Sequence, residues 1–207
     1  MARLNVNPTR MELSKLKIKL VTAKKGHKLL KDKQDELMRI FIETVKQNRE
    51  MRKRVEEKLT SSLKNFSISK SLISESSFEE AVAVPKISFE VNVEKKNVMS
   101  VRIPQITLEK NGNDDDIYPY SFAYTSSELD MAVEDLSNVM NELLKLSEIE
   151  KSAQLMADEI EKTRRRVNAL EYMTIPTLEE TIKFIRMKLD ENDRGAIIRL
   201  MKAGIKN

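Results

Sequence analysis

After Pro8 the chain meets no other proline until Pro85, with Gly26 the only glycine between them, and from Tyr120 to Ile175 there is neither. Glycine and proline are the residues that most readily end a helix. Their spacing therefore predicts two long helices around a punctuated insert. Composition agrees: 34% of the residues are charged, 5% are aromatic, and the apolar fraction is aliphatic with 11 Met. Such usage belongs to long helices and coiled coils rather than to a compact globule.

Both long segments carry apolar residues at steps of three and four. The first thread runs Leu13, Leu16, Leu20, Ala23, His27, Leu30, Gln34, Leu37, Phe41 and Val45, then Met51, Val55, Leu59, Leu63, Phe66, Lys70 and Ile73, with Gln34 and Lys70 as polar members. The second runs Leu129, Val133, Leu136, Met140, Leu143, Leu146, Ile149, Ala153, Met156, Ile160, Thr163, Val167 and Leu170. This periodicity, with charges between, is the coiled-coil pattern; a four-step slip such as Leu59–Leu63 relaxes the supercoil locally. A helix of about 65 residues would span about 100 Å, wider than a globule of this mass. His27 lies on the seam spacing, where a half-buried packing role is expected.

Thr9 with Glu12, and the run Thr125-Ser126-Ser127-Glu128, offer helix-start caps. The Ser-rich stretch 60–77 predicts fraying at the end of the first helix. Pro176 interrupts a pattern that resumes at Leu178, Ile182, Ile185 and Leu189, so a kink or short break is expected there. In the insert, Ile87, Phe89, Val91 and Val93 alternate with polar residues, and after Lys95-Lys96-Asn97 so do Met99, Val101 and Ile103. Two period-two runs about a short polar link predict a β-hairpin with the link as its turn and these seven side chains as its apolar face. A polar loop from Asn111 to Asp116 lacks the spacing of a calcium loop.

The expected fold is thus all-α: a long antiparallel two-helix coiled coil with a small β-hairpin insert near the turn. Residues 1–80 form the N-terminal helix, 81–124 the insert with its hairpin and loop, and 125–207 the C-terminal helix, kinked near Pro176. A turn joining residues near 75 and 127 sets Leu16 near Arg186, Leu37 near Asn168, Val139 opposite residue 63 and Leu155 opposite residue 47. A two-helix seam leaves Ile42, Ile68, Leu72, Val139, Leu144 and Leu155 unburied, in one neighbourhood.

Absent residue types exclude most chemistry. With no Cys and one His there is no thiolate or multi-histidine metal site, and no nucleophile–base pair or phosphate loop is present; no cofactor is expected. Residues 1–58 hold 17 Lys/Arg against 8 Asp/Glu, whereas residues 127–207 hold 13 against 16. Nucleic acid is a poor explanation of the basic half, because its charges alternate with acids and stacking aromatics are sparse. Arg164-Arg165-Arg166 fan around the helix circumference, so at least one points away from any partner helix, toward either solvent or an acidic partner. No segment is long and apolar enough for a signal peptide core or a membrane span, and a cytoplasmic location is expected.

The segment from Glu161 to Ile182, EKTRRRVNALEYMTIPTLEETI, resembles the signature of the D subunit of the V-type (vacuolar/archaeal-type, bacterial form) ATPases. So do NVNPTRMEL from Asn5 to Leu13 and GHKLLKDKQDEL from Gly26 to Leu37. The resemblance covers the whole chain, most densely at its two ends. It implies a non-catalytic central rotor shaft whose termini enter a hexameric ring of catalytic and non-catalytic subunits. The other end joins the small F subunit and a funnel-shaped subunit on the membrane rotor, without membrane insertion. The torque-bearing contacts with the ring would then be Arg164, Arg165, Arg166, Arg39, Lys24, Lys25 and Lys28. The F subunit would dock on Ile42, Ile68, Leu72, Val139, Leu144 and Leu155 and on the hairpin. A prefoldin-like holdase and a basic coiled-coil nucleic-acid binder are the alternatives from other classes.

Overall fold

The computed structural model describes residues 4–83, 88–111, 118, 120 and 126–204. The expected Ile87, the loop residues 112–116 and the candidate cap Thr125 lie outside them. Helix α1 spans Arg10–Leu72, a short α2 Glu75–Val82, strands β1 and β2 Ser88–Val98 and Val101–Asn111, and α3 Ser127–Asn168. A π-helical segment, Ala169–Thr174, leads into α4, Ile175–Gly204. The fold is mostly helical, with long N- and C-terminal helices and a two-stranded antiparallel hairpin between them. Two compact units cut across the long helices: residues 1–37 with 159–207, and residues 38–158.

Helix α1 begins as its sequence predicts, Glu12 N–H donating to Thr9 Oγ1 at 3.2 Å. The Ser-rich stretch does not fray before Leu72. Its hydroxyls stay within hydrogen-bond reach of acceptors: Ser62 donates to the Ala132 carbonyl, and Ser67 and Ser71 donate to carbonyls of their own helix. Helix α2, which the sequence pattern did not separate from α1, is held by an edge-to-face contact of Phe78 on Phe66, centroids 5.4 Å apart.

Burial follows heptads. On α3, Ala132, Val139, Leu146, Ala153, Ile160 and Val167 recur every seven residues and are all buried. Eleven residues then separate Val167 from Leu178, and seven separate Leu178 from Ile185. On α1, Leu16 and Leu37 lie three heptads apart, and Val55, Ser62 and Ser69 repeat every seven. Each side thus contains one longer step, which locally unwinds a left-handed supercoil. This corrects the expected seam: Met140 and Leu63 are exposed, while Val139 and Ser62 fill the interior. Val139-Met140 and Ser62-Leu63 are adjacent pairs between which period alone does not choose.

In the unit of residues 1–37 and 159–207, Leu16, Leu178 and Ile185 form a core with Leu13, Leu20, Ala23, Ile182, Phe184 and Leu189. Leu16 meets Ile185 beside the expected Arg186, and Arg10–Asp193 and Lys24–Glu179 ion pairs keep that register. In the unit of residues 38–158, Val55, Val139 and Leu146 pack with Met51, Leu59 and Leu143. There Ser62 reaches Ala132, about two turns from the expected partner, and Ser69 Oγ lies 3.3 Å from Ser126 Oγ. The displacement is confined to the last turns before the hairpin, since Arg52 still reaches Glu150 and Lys58 still reaches Glu142, at or within a turn of the pairing counted from residues 75 and 127.

No break occurs at Pro176. Helical hydrogen bonding runs from Ser127 to Gly204 and becomes π-type just before the proline, Ile175 N–H donating to the Leu170 carbonyl. Pro176 has no N–H to give. The hydroxyls of Thr174 and Thr177 donate to the carbonyls of Ala169 and Met173 at 3.2 and 2.6 Å. The core continues past the proline through Leu178 and Ile185.

The hairpin turn lies at Met99-Ser100, with φ 49° and 72°, and not at Lys95-Lys96-Asn97, which pair with Pro104, Ile103 and Arg102. Positive φ at both central residues is the two-residue turn whose twist matches the strands. Moving the turn also splits the expected apolar face. Phe89, Val91 and Val93 share a face with Leu108 and Ile106, whereas Val101 and Ile103 lie on the other with Val98. Because left-handed backbone costs a side-chain-bearing residue about 1–2 kcal/mol, Ser100→Gly is expected to stabilise the hairpin by about 1 kcal/mol. Slower amide exchange across residues 88–111 is the measurement that checks it.

Candidate interaction surfaces

The arginine cluster stands outside the seam. Thr163 and Val167 are buried, while Arg164, Arg165 and Arg166 between them are all exposed. Arg165 is paired with Glu161 one turn back on the same helix. Lys25 and Lys28 are exposed, and Lys24 is 2.7 Å from Glu179. These residues belong to one compact unit; Arg39, also exposed, belongs to the other. His27 is half-buried, its Nε2 3.3 Å from Glu171 Oε2 within the π-helical segment.

The apolar candidates divide. Ile42, Ile68 and Leu72 are exposed, Leu144 and Leu155 half-buried, and Val139 is only 2% exposed. Val139 is therefore a core residue and not a docking residue: its heptad position aims it at Val55 and Leu59. Ile68 and Leu72 lie one turn apart, but Ile42 is about 39 Å from Ile68 at 1.5 Å of rise per residue. They are not one neighbourhood. On the hairpin, Phe89, Val91, Val93 and Met99 are exposed, Ile103 is half-buried, and Val101 is buried.

Sequence reasoning missed two features. The last turns of α4 present Ile197, Ile198, Leu200 and Met201, all more than half exposed. The π-helical segment presents Tyr172 and Met173, each 69% exposed, close to the arginines in sequence. The combination of Pro176 with Thr174 and Thr177, which can satisfy freed carbonyls, was the available sign.

Tyr120 donates to Asp130 Oδ1 at 2.9 Å, beside the start of α3. Burial, and then that hydrogen bond to a carboxylate, holds its phenol well above the ordinary range, so it stays protonated and donating. No group of three or more His, Cys, Asp or Glu among the described residues could hold a metal ion. No described helix is long and apolar enough to cross a membrane.

Two long helices with a hairpin between them, and exposed cations and exposed aliphatic residues on both units, define a helical protein built around interaction surfaces. The chain belongs to the ATP synthase D subunit family, which it matches over residues 12–204. It is 61% identical over 204 residues to the V-type ATP synthase D subunit of Clostridium novyi (strain NT), covering 98% of this chain and 94% of that one. With the protein of the same name from Clostridium botulinum (strain ATCC 19397 / Type A) it shares 60% identity over 202 residues, 97% of this chain and 94% of the relative. Membership makes it a component of a rotary ATP synthase complex, alongside other subunits.

Proposed function

We propose that this chain is the non-catalytic central shaft of a V-type ATPase, carrying torque between a catalytic hexamer and the membrane rotor. The observation that carries the reading is the near full-length family match, joined to a unit that contains both termini and a dense set of exposed cations. A shaft needs contacts that break and reform as it turns. Exposed ion pairs, each worth about 0–1 kcal/mol, suit that better than a large apolar interface. The exposed aliphatic residues of α4 call for a cover in the assembly, and the ring's interior would supply it. Ile42, Ile68 and Leu72, with half-buried Leu144 and Leu155 and the exposed face of the hairpin, are the remaining surface for the F subunit. The funnel-shaped subunit completes the link to the membrane rotor, which leaves the shaft peripheral to the membrane on the cytoplasmic side.

Native purification with subunit identification tests this reading: ATPase subunits in fixed ratio support it, and a miscellany of unfolded clients or nucleic acid overturns it. Within that reading, replacing Arg164, Arg165 and Arg166 together by Ala should weaken binding to the ring about tenfold or more and leave helicity unchanged. Circular dichroism and a binding titration check the two halves of that expectation.

A further inference from the structure

The hairpin touches the helices through a contact with no counterpart in its own ladder. In a hairpin with a two-residue turn, the pair flanking the turn exchanges hydrogen bonds and pairs alternate from there. Val98↔Val101 is that pair, so Lys95↔Pro104 and Val93↔Ile106 are of the other kind, their backbone groups turned away from the partner strand. Pro104 thus sits where its missing N–H leaves no ladder bond unmade. The next outward donor on the same edge, Ile106 N–H, is taken by Glu148 Oε2 of α3 at 3.2 Å in a part-buried setting. Burial follows the same direction. Val101 is buried and Ile103, Pro104, Ile106 and Leu108 are half-buried on β2, whereas β1 from Phe89 to Asn97 is exposed throughout.

We propose that Glu148 is a latch that fixes the hairpin against α3 by its β2 edge, and that the hairpin works as a strap with a docked and a released position. The carboxylate does on the outer edge what a third strand would do: it satisfies an edge donor and fixes where along the helix the hairpin rests. An isolated two-stranded hairpin is marginal in water, so the latch governs its order as well as its place. Released, it would free the edge donors and the β2 side chains for another surface of the complex. The regulatory meaning of that motion rests on the shaft reading; the latch itself does not.

The chain has no cysteine, so two introduced ones take spin labels without background. In the full chain, labels at Asn92 on β1 and Lys145 on α3, both exposed, should give one narrow distance distribution. Glu148→Ala should broaden and lengthen it and speed exchange of the Ile106 amide about tenfold or more, the loss expected for a charge-assisted hydrogen bond. Glu148→Gln, whose amide oxygen still accepts, should keep both close to the native values. If Glu148→Ala leaves the distribution and the exchange rate unchanged, the latch is refuted. In the reassembled complex, Glu148→Ala should shift the ATPase rate in the same direction as deletion of residues 88–111. A hairpin released in the spin-label measurement with an unchanged rate would overturn the regulatory role while leaving the latch in place.

Discussion

Truncation after Leu189 is expected to reduce rotation-coupled ATPase at least tenfold while lowering the melting temperature by only about 2–4 °C. The buried residues of α4 are Leu178, Thr181 and Ile185, all ahead of the cut. Beyond it lies the exposed ion pair Arg10–Asp193, worth at most about 1 kcal/mol, which in a chain of this size is a few degrees. What is lost instead is the exposed set Ile197, Ile198, Leu200 and Met201, the surface assigned to the ring's interior. Thermal melting of the isolated chain and ATPase of the reassembled complex separate the two effects. A large fall in melting temperature would place the terminal turns in the cooperative core and remove this ground for a ring contact.

Ile185→Ala should do the reverse. Ile185 is completely buried against Leu16 and Leu178, and deleting its side chain leaves a cavity between two helices that can close only partly. A loss of about 2–5 kcal/mol is expected, which corresponds to a melting temperature lower by on the order of 10 °C. At temperatures where the variant is still folded, its contacts outward are untouched, and affinity for the ring should stay within about twofold of native. Chemical denaturation and a binding titration at low temperature provide the two numbers. A stable Ile185→Ala protein would mean that this unit does not depend on the seam.

The different fates of these two positions mirror what the sequence made legible. Long helices follow from where Gly and Pro are missing, and the seam at Leu16, Leu178 and Ile185 follows from apolar spacing. For Arg164, Arg165 and Arg166 the fan around the helix promised at least one outward side chain; burial of Thr163 and Val167 on either side leaves all three exposed. Register was readable over most of the length of the helices: counting from the turn sets Arg10 opposite residue 192 and Arg52 opposite residue 150, and they pair with Asp193 and Glu150. The choice between adjacent seam residues was not readable, because Ser69 and Ser62 are small polar residues that no apolar count selects, yet they are the ones buried. Val139 was misassigned in the same way, in favour of Met140.

The hairpin illustrates a second limit. Lys95-Lys96-Asn97 has the composition of a turn but lies within β1, because Met99-Ser100 accepts positive φ without the Asn-Gly signature that would have announced it. A displacement from 95–97 to 99–100 moved the turn and divided the expected apolar face. Glu148 carries no sequence signal at all: one glutamate among many on α3, distinguished only by the Ile106 N–H in front of it. The π-helical segment is intermediate, since Pro176 predicts a disturbance but not its form. The chain answered with a wider helical turn and threonine hydroxyls rather than a break.

The measurement that bears most directly on the shaft reading is rotation itself. A bead tethered through a single cysteine introduced at exposed Asn92, in a complex whose catalytic ring is fixed to a surface, reports the motion of this chain alone. A central shaft should turn stepwise in one direction, starting with ATP and stopping when hydrolysis is blocked. A bead that stays still while the same complex hydrolyses ATP would contradict that role.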